Sequence, residues 1–585
     1  MSNTLPLRRS LLDRLKARIG RAHASRLTRR FFDAVRQATQ TQDALLARLI
    51  ADGAPGGFGR EHHFDRIRGY TDFRANVPIR SYREMVPYLD RVRRGEIAAL
   101  FRPGEKILMF ALTSGTTAEP KYIPITPRVL ADSRRGWNIW GVKALLDHPA
   151  CFLRHIVQVT SPMDDHRAPS GVPCGAITGL LAATQKRLVR QYYTSPLEVS
   201  RIVDSRAKYY TIMRMAIPKD VAWAVTANPA TLLLLAKTAD EHRESIIRDI
   251  HDGTLRADLP IEDDIRQSIE QRLRPDPVCA RRLERIVAVE GALHPRSYWN
   301  LGFLAHWTGG TMGLYQARFP KYFGDVPARD IGLIASEGRM SIPIDDGTAA
   351  GILAVTSQFF EFIPAEAYPG TRERAIPPET PTLRSHELAT GKEYFLVLTN
   401  SSGLYRYDMG DRVRVTGWAG AAPLIEFLSR DDHTASMAGE KLTENQVVTA
   451  MREVIGSAPA SGPSEPTDAA ARGPIVDFIL APRWEEVPRY RLYVETGAAR
   501  HVDRLAERFD AALRAVSVEY DQKRATLRLE AVELARLPDG TLAERDRRLR
   551  RERSRTSEQF KHQYLLARPG LDAELDRSPV RSGTP

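Results

Sequence analysis

Helical and strand-like segments alternate along most of the 585 residues, and that alternation predicts an α/β fold with a large N-terminal and a small C-terminal domain. Two more observations support it. At about 100–200 residues per domain the length calls for more than one core. A composition 43% hydrophobic and 27% charged is that of an ordinary globular chain, neither disordered nor fibrous. The pattern changes after Arg430, so the expected domains are 1–430 and 431–570, with 571–585 as a disordered tail.

Taken in order, Leu11, Leu12, Leu15, Ile19, Phe31, Phe32, Val35, Leu45, Leu46 and Leu49 recur at helical spacing and predict a helical entry segment. Pro78, Pro87 and Pro103 with Gly95 and Gly104 then punctuate the approach to an apolar run, 107–112, expected as a strand with a turn-rich loop behind it. Helices are predicted over 196–215, 230–250 and 261–274, interspersed with strands over 331–335, 351–356 and 394–398. The most apolar window, 221–239, is interrupted by Asn228, Pro229 and Lys237. It therefore falls short of the ~20 unbroken apolar residues a bilayer span needs and reads as buried core. Beyond Arg430 come a helix over 443–455, a flexible Ala/Ser/Pro/Gly-rich stretch over 456–474, strands over 475–480 and 491–494, and a helix over 501–516.

The net charge of +13 is concentrated at two helical-looking ends. Residues 1–30 hold nine Lys/Arg against one acid, and residues 541–565 hold eight against four. A nucleic-acid enzyme more usually lines its working groove with basic residues, so solvated arginine-rich faces are the plainer reading, and neither nucleic acid nor membrane is expected as a partner. Arg8 and Arg9 lead into Asp13, Arg14, Lys16 and Arg18 rather than into an apolar stretch, which argues against a signal peptide. Cys151, Cys174 and Cys279 are too few and too scattered for a disulfide framework or a thiolate zinc site. A reducing, cytoplasmic setting is expected. His62, His63 and His155 lack metal-like or triad-like spacing.

Three segments could carry chemistry. Thr113-Ser114-Gly115-Thr116-Thr117-Ala118-Glu119-Pro120-Lys121 follows the run 107–112. Small hydroxylated residues around a glycine let backbone N–H groups close on a polyanion, with a lysine to meet a phosphate oxygen; a tight turn capping a helix is equally compatible. Ala335-Ser336-Glu337-Gly338 puts a carboxylate at the end of a predicted strand, where an acid can hold Mg²⁺ on a triphosphate. The bland reading there is a helix N-cap at Ser336. In the segment 403–413, Asp411 after Gly410 opens a strand over 413–416 and could accept two ribose hydroxyls, or belong to a plain turn.

In this order and spacing the segments resemble the Gretchen Hagen auxin-responsive family of acyl acid-amido synthetases, in a bacterial-type version, relatives of the acyl-adenylate-forming enzymes. The resemblance spans nearly the whole chain. It includes Phe58-Gly59-Arg60, Phe73-Arg74, Val77-Pro78-Ile79, Tyr82, Tyr88-Leu89, Arg91, Gly95-Glu96, Ile123-Pro124, Thr126, Asn228-Pro229, Thr308-Gly309, Phe360-Glu361-Phe362, Pro364 and the stretch 403–418. It implies a large adenylate-forming domain with mixed and parallel sheets and a small β-barrel-like subdomain, followed by a mobile C-terminal lid.

It also implies ATP and Mg²⁺ as cofactors. Ser114, Gly115, Thr116 and Thr117 would hold phosphates, Ser336 would place the α-phosphate or adenine, Glu337 would be the catalytic and Mg²⁺ residue, and Asp411 and Arg430 would hold ribose. Lys441 and Lys561 would be the catalytic lysines of the small domain, and Asp431 the pivot. The implied reaction activates a small carboxylic acid as acyl-AMP and transfers it to an amine, expected to be an amino acid, in a protein expected as a monomer. Alternatives are an acyl-CoA ligase, a carrier-protein acyl-adenylating enzyme and, more remotely, a nucleic-acid-binding protein. Ala118 and Tyr122 stand where luciferase-like relatives have glycine, and Leu333 where they have an aromatic, so no residue is assigned to stack on adenine. The acyl pocket is expected between 155 and 193 and around 307–323.

Overall fold

The computed structural model describes residues 25–576 apart from 27, 114–120, 370–375, 431–433, 436, 439, 441, 457–476, 486, 496–503, 526–528 and 554–561. In chain order its first strands are β1 (Met109–Thr113), β2 (Lys121–Ile125), β3 (His155–Gln158), β4 (His166–Arg167), β5 (Pro173–Gly175), β6 (Val221–Val225), β7 (Phe303–His306), β8 (Ala328–Asp330), β9 (Ile334–Ala335) and β10 (Gly338–Arg339). The sheet β3-β6-β7-β8 is parallel throughout. Every residue of its two central strands, β6 and β7, is buried, as expected of the middle of a parallel sheet. A second sheet, β2-β1-β5-β4, pairs β1 antiparallel to β2 and parallel to β5.

The apolar window 221–239 is strand β6 and the helix Pro229–Glu241, whose Asn228 side chain accepts the Ala230 N–H at 2.9 Å. The helix expected over 230–250 divides at His242 into Pro229–Glu241 and Arg243–Asp252. That expected over 196–215 becomes a 3₁₀ turn, Leu197–Arg201, and a helix, Ser205–Ala216. The interruption has a local cause: Asp204 accepts the Ala207 N–H at 2.7 Å, and a capping aspartate starts a helix rather than continuing one.

Seven further strands, β11 (Ser341–Ile342), β12 (Gly351–Leu353), β13 (Phe359–Pro364), β14 (Leu383–Arg384), β15 (Glu393–Thr399), β16 (Tyr407–Ala419) and β17 (Ala422–Arg430), make one sheet in the order β11-β12-β17-β16-β15-β13-β14. This sheet stands where a barrel-like subdomain was expected.

The chain divides into two compact units. The first is Met1–Gly309, Phe319–Phe427 and Arg555–Gln559; the second is Gly310–Arg318, Leu428–Ser554 and Phe560–Pro585. In the second, the strands Phe478–Arg483, Arg489–Glu495 and Glu533–Leu537 form a sheet, accompanied by the helices Glu444–Gly456 and Leu505–Val516. Within 571–576, expected as the start of a disordered tail, Asp572 and Leu575 are instead buried. Asp572 is fully buried, accepts the Tyr493 hydroxyl at 2.9 Å and pairs with Arg483 at 3.1 Å, while Leu575 joins the apolar core. Residues 577–585 lie outside the described ones. No described helix is long and apolar enough to cross a membrane.

Candidate functional site

Ala335 pairs with Gly338 across β9 and β10, so Ser336 and Glu337 are the two-residue turn of a hairpin, neither a strand end nor a helix cap. Gly338 sits at φ +150°, and a Cβ there would lie 2.4 Å from Gln358 Nε2, so only glycine fits the turn. Ser336 Oγ donates to the Leu112 carbonyl at 3.1 Å, tying the hairpin to β1. Asn400 Nδ2 donates to the Glu337 carbonyl at 2.7 Å from the far side.

The Glu337 side chain is 4% exposed. Its Oε1 accepts the Tyr407 hydroxyl at 3.4 Å, and that hydroxyl accepts Lys121 Nζ at 3.2 Å. Lys121 lies over the Tyr82 ring at 5.2 Å and the Tyr407 ring at 5.9 Å, contacts that attract a cation to an aromatic face. Tyr82 is itself pushed up to about 12, chiefly by burial. Thr113 pairs with Lys121, bringing the two ends of the 114–120 stretch side by side next to this cluster. Ser114, Gly115, Thr116 and Thr117 fall outside the described residues. Tyr407, Tyr82 and Asn400 join the cluster around Glu337 without having been singled out for a role from the sequence, although Tyr407 stands inside the 403–413 segment and Tyr82 among the matched motifs.

Asp411 is fully buried. It lies inside β16, which begins at Tyr407 rather than at Val413. Pairing along β15 slips between Phe395↔Arg412 and Val397↔Asp408, so Met409, Gly410 and Asp411 oppose the single residue Leu396. Such a bulge re-aims side chains out of the regular alternation, and Gly410 takes the left-handed backbone, φ +62°, that it needs. The neighbouring Asp408 accepts the Tyr368 hydroxyl at 2.8 Å and the Gly410 N–H at 2.9 Å.

At the start of β16, Arg406 and Glu361 form a buried pair at 2.8 Å. Tyr70 donates to Glu361 at 3.0 Å and Arg406 to the Val77 carbonyl at 2.8 Å. A buried ion pair with its remaining valences filled costs much to break, so it fixes where Tyr407 begins. Behind the hairpin, Asp330 accepts the Thr308 and Gly332 N–H groups, each at 2.6 Å, and the Thr308 hydroxyl at 2.8 Å. Burial nevertheless raises its carboxyl to about 6.

In the second unit Lys441 and Lys561 fall outside the described residues, as do Asp431 and the Arg430 side chain. The residues beside the two lysines are well held. Glu440 is fully buried and accepts the N–H groups of Met437 at 2.7 Å and Ala438 at 2.8 Å and the Tyr490 hydroxyl at 2.6 Å. The two nitrogens of His562 face Asp546 at 2.8 Å and the Phe478 carbonyl at 3.0 Å. Both partners are acceptors. Only the imidazolium donates from both nitrogens, in line with a pKa raised above 6.5: burial opposes the charge most, and Asp546, Asp477 and the Phe478 carbonyl together outweigh it.

A separate recess of the first unit opens at the carboxyl end of β3. Gln158, Thr160, Arg190, Tyr193 and Lys208 line it together with apolar side chains such as Leu197 and Ile212. Its position overlaps the acyl-pocket expectation over 155–193; none of residues 307–323 lines it.

Among the described residues no three His, Cys, Asp or Glu side chains gather as a metal site. Mg²⁺ suits a lone carboxylate such as Glu337 all the same, because it is usually held through one or two carboxylates plus substrate phosphates rather than in a protein cage.

Comparison with known proteins matches residues 27–328 to the GH3 family N-terminal domain, 351–430 to the GH3 family central domain and 466–569 to the GH3 family C-terminal domain. The chain is similar to the jasmonoyl-L-amino acid synthetase JAR6 of Nicotiana attenuata, 25% identical over 72% of this chain and 74% of that one. It is also similar to the probable indole-3-acetic acid-amido synthetase GH3.1 of Arabidopsis thaliana, 25% identical over 71% and 70%. The solved structure of the GH3.15 acyl acid amido synthetase superposes with a TM-score of 0.79 over 94% of this chain and 96% of that one, at 18% identity. A 2-hydroxyisobutyryl-CoA ligase in a postadenylation state gives 0.50 over 93% and 91%, at 12% identity. At those identities the two structures speak for the fold alone.

Proposed function

The chain belongs to the GH3 family, and from that membership we propose that it is an ATP-dependent ligase that activates a small carboxylic acid as acyl-AMP and transfers the acyl group to an amino acid. The observation that carries the reading is the Glu337–Tyr407–Lys121 cluster beside the paired ends of the 114–120 stretch. An acid and a cation one hydroxyl apart are the pair that a polyphosphate chain with Mg²⁺ calls for, and they support the reading.

A carboxylate resists nucleophiles because of its own charge, and adenylation removes that obstacle. One carboxylate oxygen attacks the α-phosphorus, the bond to the β-phosphate oxygen breaks and pyrophosphate leaves. The amine then attacks the acyl carbonyl, AMP departs with the bonding pair, and an amide remains. In this proposal Ser114, Gly115, Thr116 and Thr117 cradle the phosphates, Ser336 holds the hairpin against β1, Glu337 carries Mg²⁺, and Asp411 and Arg430 hold ribose. Lys121 offsets the charge that collects on the departing pyrophosphate. Mg²⁺, when bound, neutralises phosphate charge at Glu337. Residues 431–570 complete the reaction through Lys441 and Lys561. The three free cysteines support a reducing, cytoplasmic setting.

ATP–pyrophosphate exchange across aryl, indolyl and aliphatic acids tests the first step, and amino-acid-dependent release of AMP tests the second. Exchange with some acid followed by amide formation is expected. Turnover with coenzyme A in place of amino acids would transfer the chain to the thioester-forming relatives.

A further inference from the structure

We propose that Gln358 and Asn400 are positioning residues of the adenylation step: they grip the backbone on either side of the Glu337 side chain and so decide where its carboxylate stands. The inference rests on the amide-synthetase reading above, with Glu337 as its Mg²⁺ residue. Glu337 Oε1 meets the Tyr407 hydroxyl at 3.4 Å, longer than the usual O–H···O bond. That contact does not fix a carboxylate by itself, so the backbone must aim it. Asn400 Nδ2 donates to the Glu337 carbonyl at 2.7 Å and Gln358 Nε2 to the Arg339 carbonyl at 2.8 Å. Both amides are buried. Asn400 Oδ1 accepts the Ser402 N–H at 2.9 Å, which sets the orientation of its amide. The amide of Gln358 lies against Gly338, where a Cβ would come 2.4 Å from Nε2 and 2.9 Å from Oε1. Gln358 Oε1 is buried and accepts no hydrogen bond from the described residues. An unsatisfied buried acceptor costs stability that a methionine of similar length would not. Filling space therefore does not account for a glutamine here; donation to the Arg339 carbonyl does.

Strand pairing brings the two amides to one turn. Gln358 immediately precedes β13, Asn400 immediately follows β15, and Phe359 pairs with Thr399, so both leave the same end of adjacent antiparallel strands. Tyr407 opens β16 opposite Leu398 of β15, at that same end. Gln42 of the helix Ala38–Gly53 anchors it: its Nε2 donates to the Gln358 and Val355 carbonyls, each at 2.7 Å, and its Oε1 accepts the Phe360 N–H at 2.9 Å. The clamp is thus held more firmly than the turn it grips. A cavity lined by Asp132, Ser133, Asn400 and Ser401 lies against Glu337 and Gly338, so loss of either amide leaves the turn room to move. A shift of ~1 Å at a reacting group costs on the order of 100-fold in rate.

The test is ATP–pyrophosphate exchange by the full chain across aryl, indolyl and aliphatic acids, read as kcat, the KM for ATP and the Mg²⁺ concentration at half-maximal rate. Gln358→Met and Asn400→Ala should each lower kcat about tenfold or more and raise the half-maximal Mg²⁺ concentration about threefold or more, with the KM for ATP within about twofold of wild type. Introduced into Glu337→Gln, each should change the remaining rate by less than about twofold, because its effect runs through that carboxylate. General damage would persist in both backgrounds. The two substitutions stand on different strands, so each reads the effect if the other does not fold, and Gln358→Glu, which keeps the shape, serves if neither does. Equal losses in both backgrounds, or kcat and Mg²⁺ dependence at wild-type values in a folded variant, would overturn the inference and leave the amide-synthetase reading standing. Failure of exchange with every acid, in a wild-type protein folded by circular dichroism, would overturn both.

Discussion

The proposed mechanism assigns most of its chemistry to Glu337, and the surroundings of that residue say how it would act. Its side chain is 4% exposed, meets a tyrosine hydroxyl and stands one hydroxyl away from an ammonium. Glu337→Gln keeps the shape and the Tyr407 contact but removes the charge. Exchange should fall by about 100-fold, about 2.7 kcal/mol on the barrier, and the Mg²⁺ titration should move to higher concentration; a normal titration curve would release Glu337 from the metal. Tyr407→Phe deletes the hydroxyl between Lys121 and Glu337, and kcat should drop about tenfold for a loss of about 1.4 kcal/mol with little change in the KM for ATP. The local pattern of an acid between Ser336 and Gly338 behind an apolar run fits a helix N-cap as well as a phosphate site, and Glu337 is singled out through the family resemblance. Tyr407 is not, since nothing local marks a tyrosine whose partners lie 70 and 286 residues away.

At the scale of elements, short features aim these side chains. The hairpin over 334–339 needs glycine at 338. Gly338→Ala should destabilise the protein by about 1–3 kcal/mol, because φ is positive and the new methyl meets Gln358, and it should lower exchange by displacing Glu337. Thermal melts together with exchange rates separate the two effects. The bulge at 409–411 does the same for Asp411. Asp411→Ala should raise the KM for ATP by an amount equivalent to about 1–3 kcal/mol if ribose is its partner, and an unchanged KM would remove it from the nucleotide site. The sequence leaves a plain turn at Gly410 open and starts the strand at Val413, whereas Gly410 and Asp411 lie in a bulge inside β16; that bulge breaks the period of two on which strand recognition relies.

In the second unit His562 brings a pH dependence. Its folded pKa lies above 6.5, so its stabilisation is full below pH 6.5 and is lost as pH rises through the higher folded value. The groups acting on it are Asp546, Asp477 and the Phe478 carbonyl, all favouring the cation, against burial. The Leu566 N–H, which donates to the Leu480 carbonyl at 2.9 Å beside it, should exchange faster above that pH than its intrinsic rate predicts. His562→Gln should flatten the dependence.

At the scale of the whole molecule, the chain does not complete one unit before starting the next. Gly310–Arg318 belongs to the second unit although about a hundred residues of the first separate it from Leu428. Tyr315, in that segment, is 8% exposed, and its hydroxyl bonds to Tyr564, with a pKa raised chiefly by burial. A nine-residue insertion of this kind leaves no periodic signal, because its apolar partners lie in the distant helix Glu444–Gly456 and around Tyr564 rather than along its own length. Composition could therefore mark a change near Arg430 without revealing the segment that returns. The consequence is measurable. Tyr315→Ala should cost about 3–5 kcal/mol, as for other large buried rings, and the loss should appear as faster hydrogen exchange in Glu444–Gly456 while β6 and β7 keep their protection. A fragment beginning at Leu428 should melt well below the same fragment supplemented with Gly310–Arg318 as a fused segment. Equal melting of the two fragments would mean that residues 310–318 only lie against the second unit and that its core is complete without them.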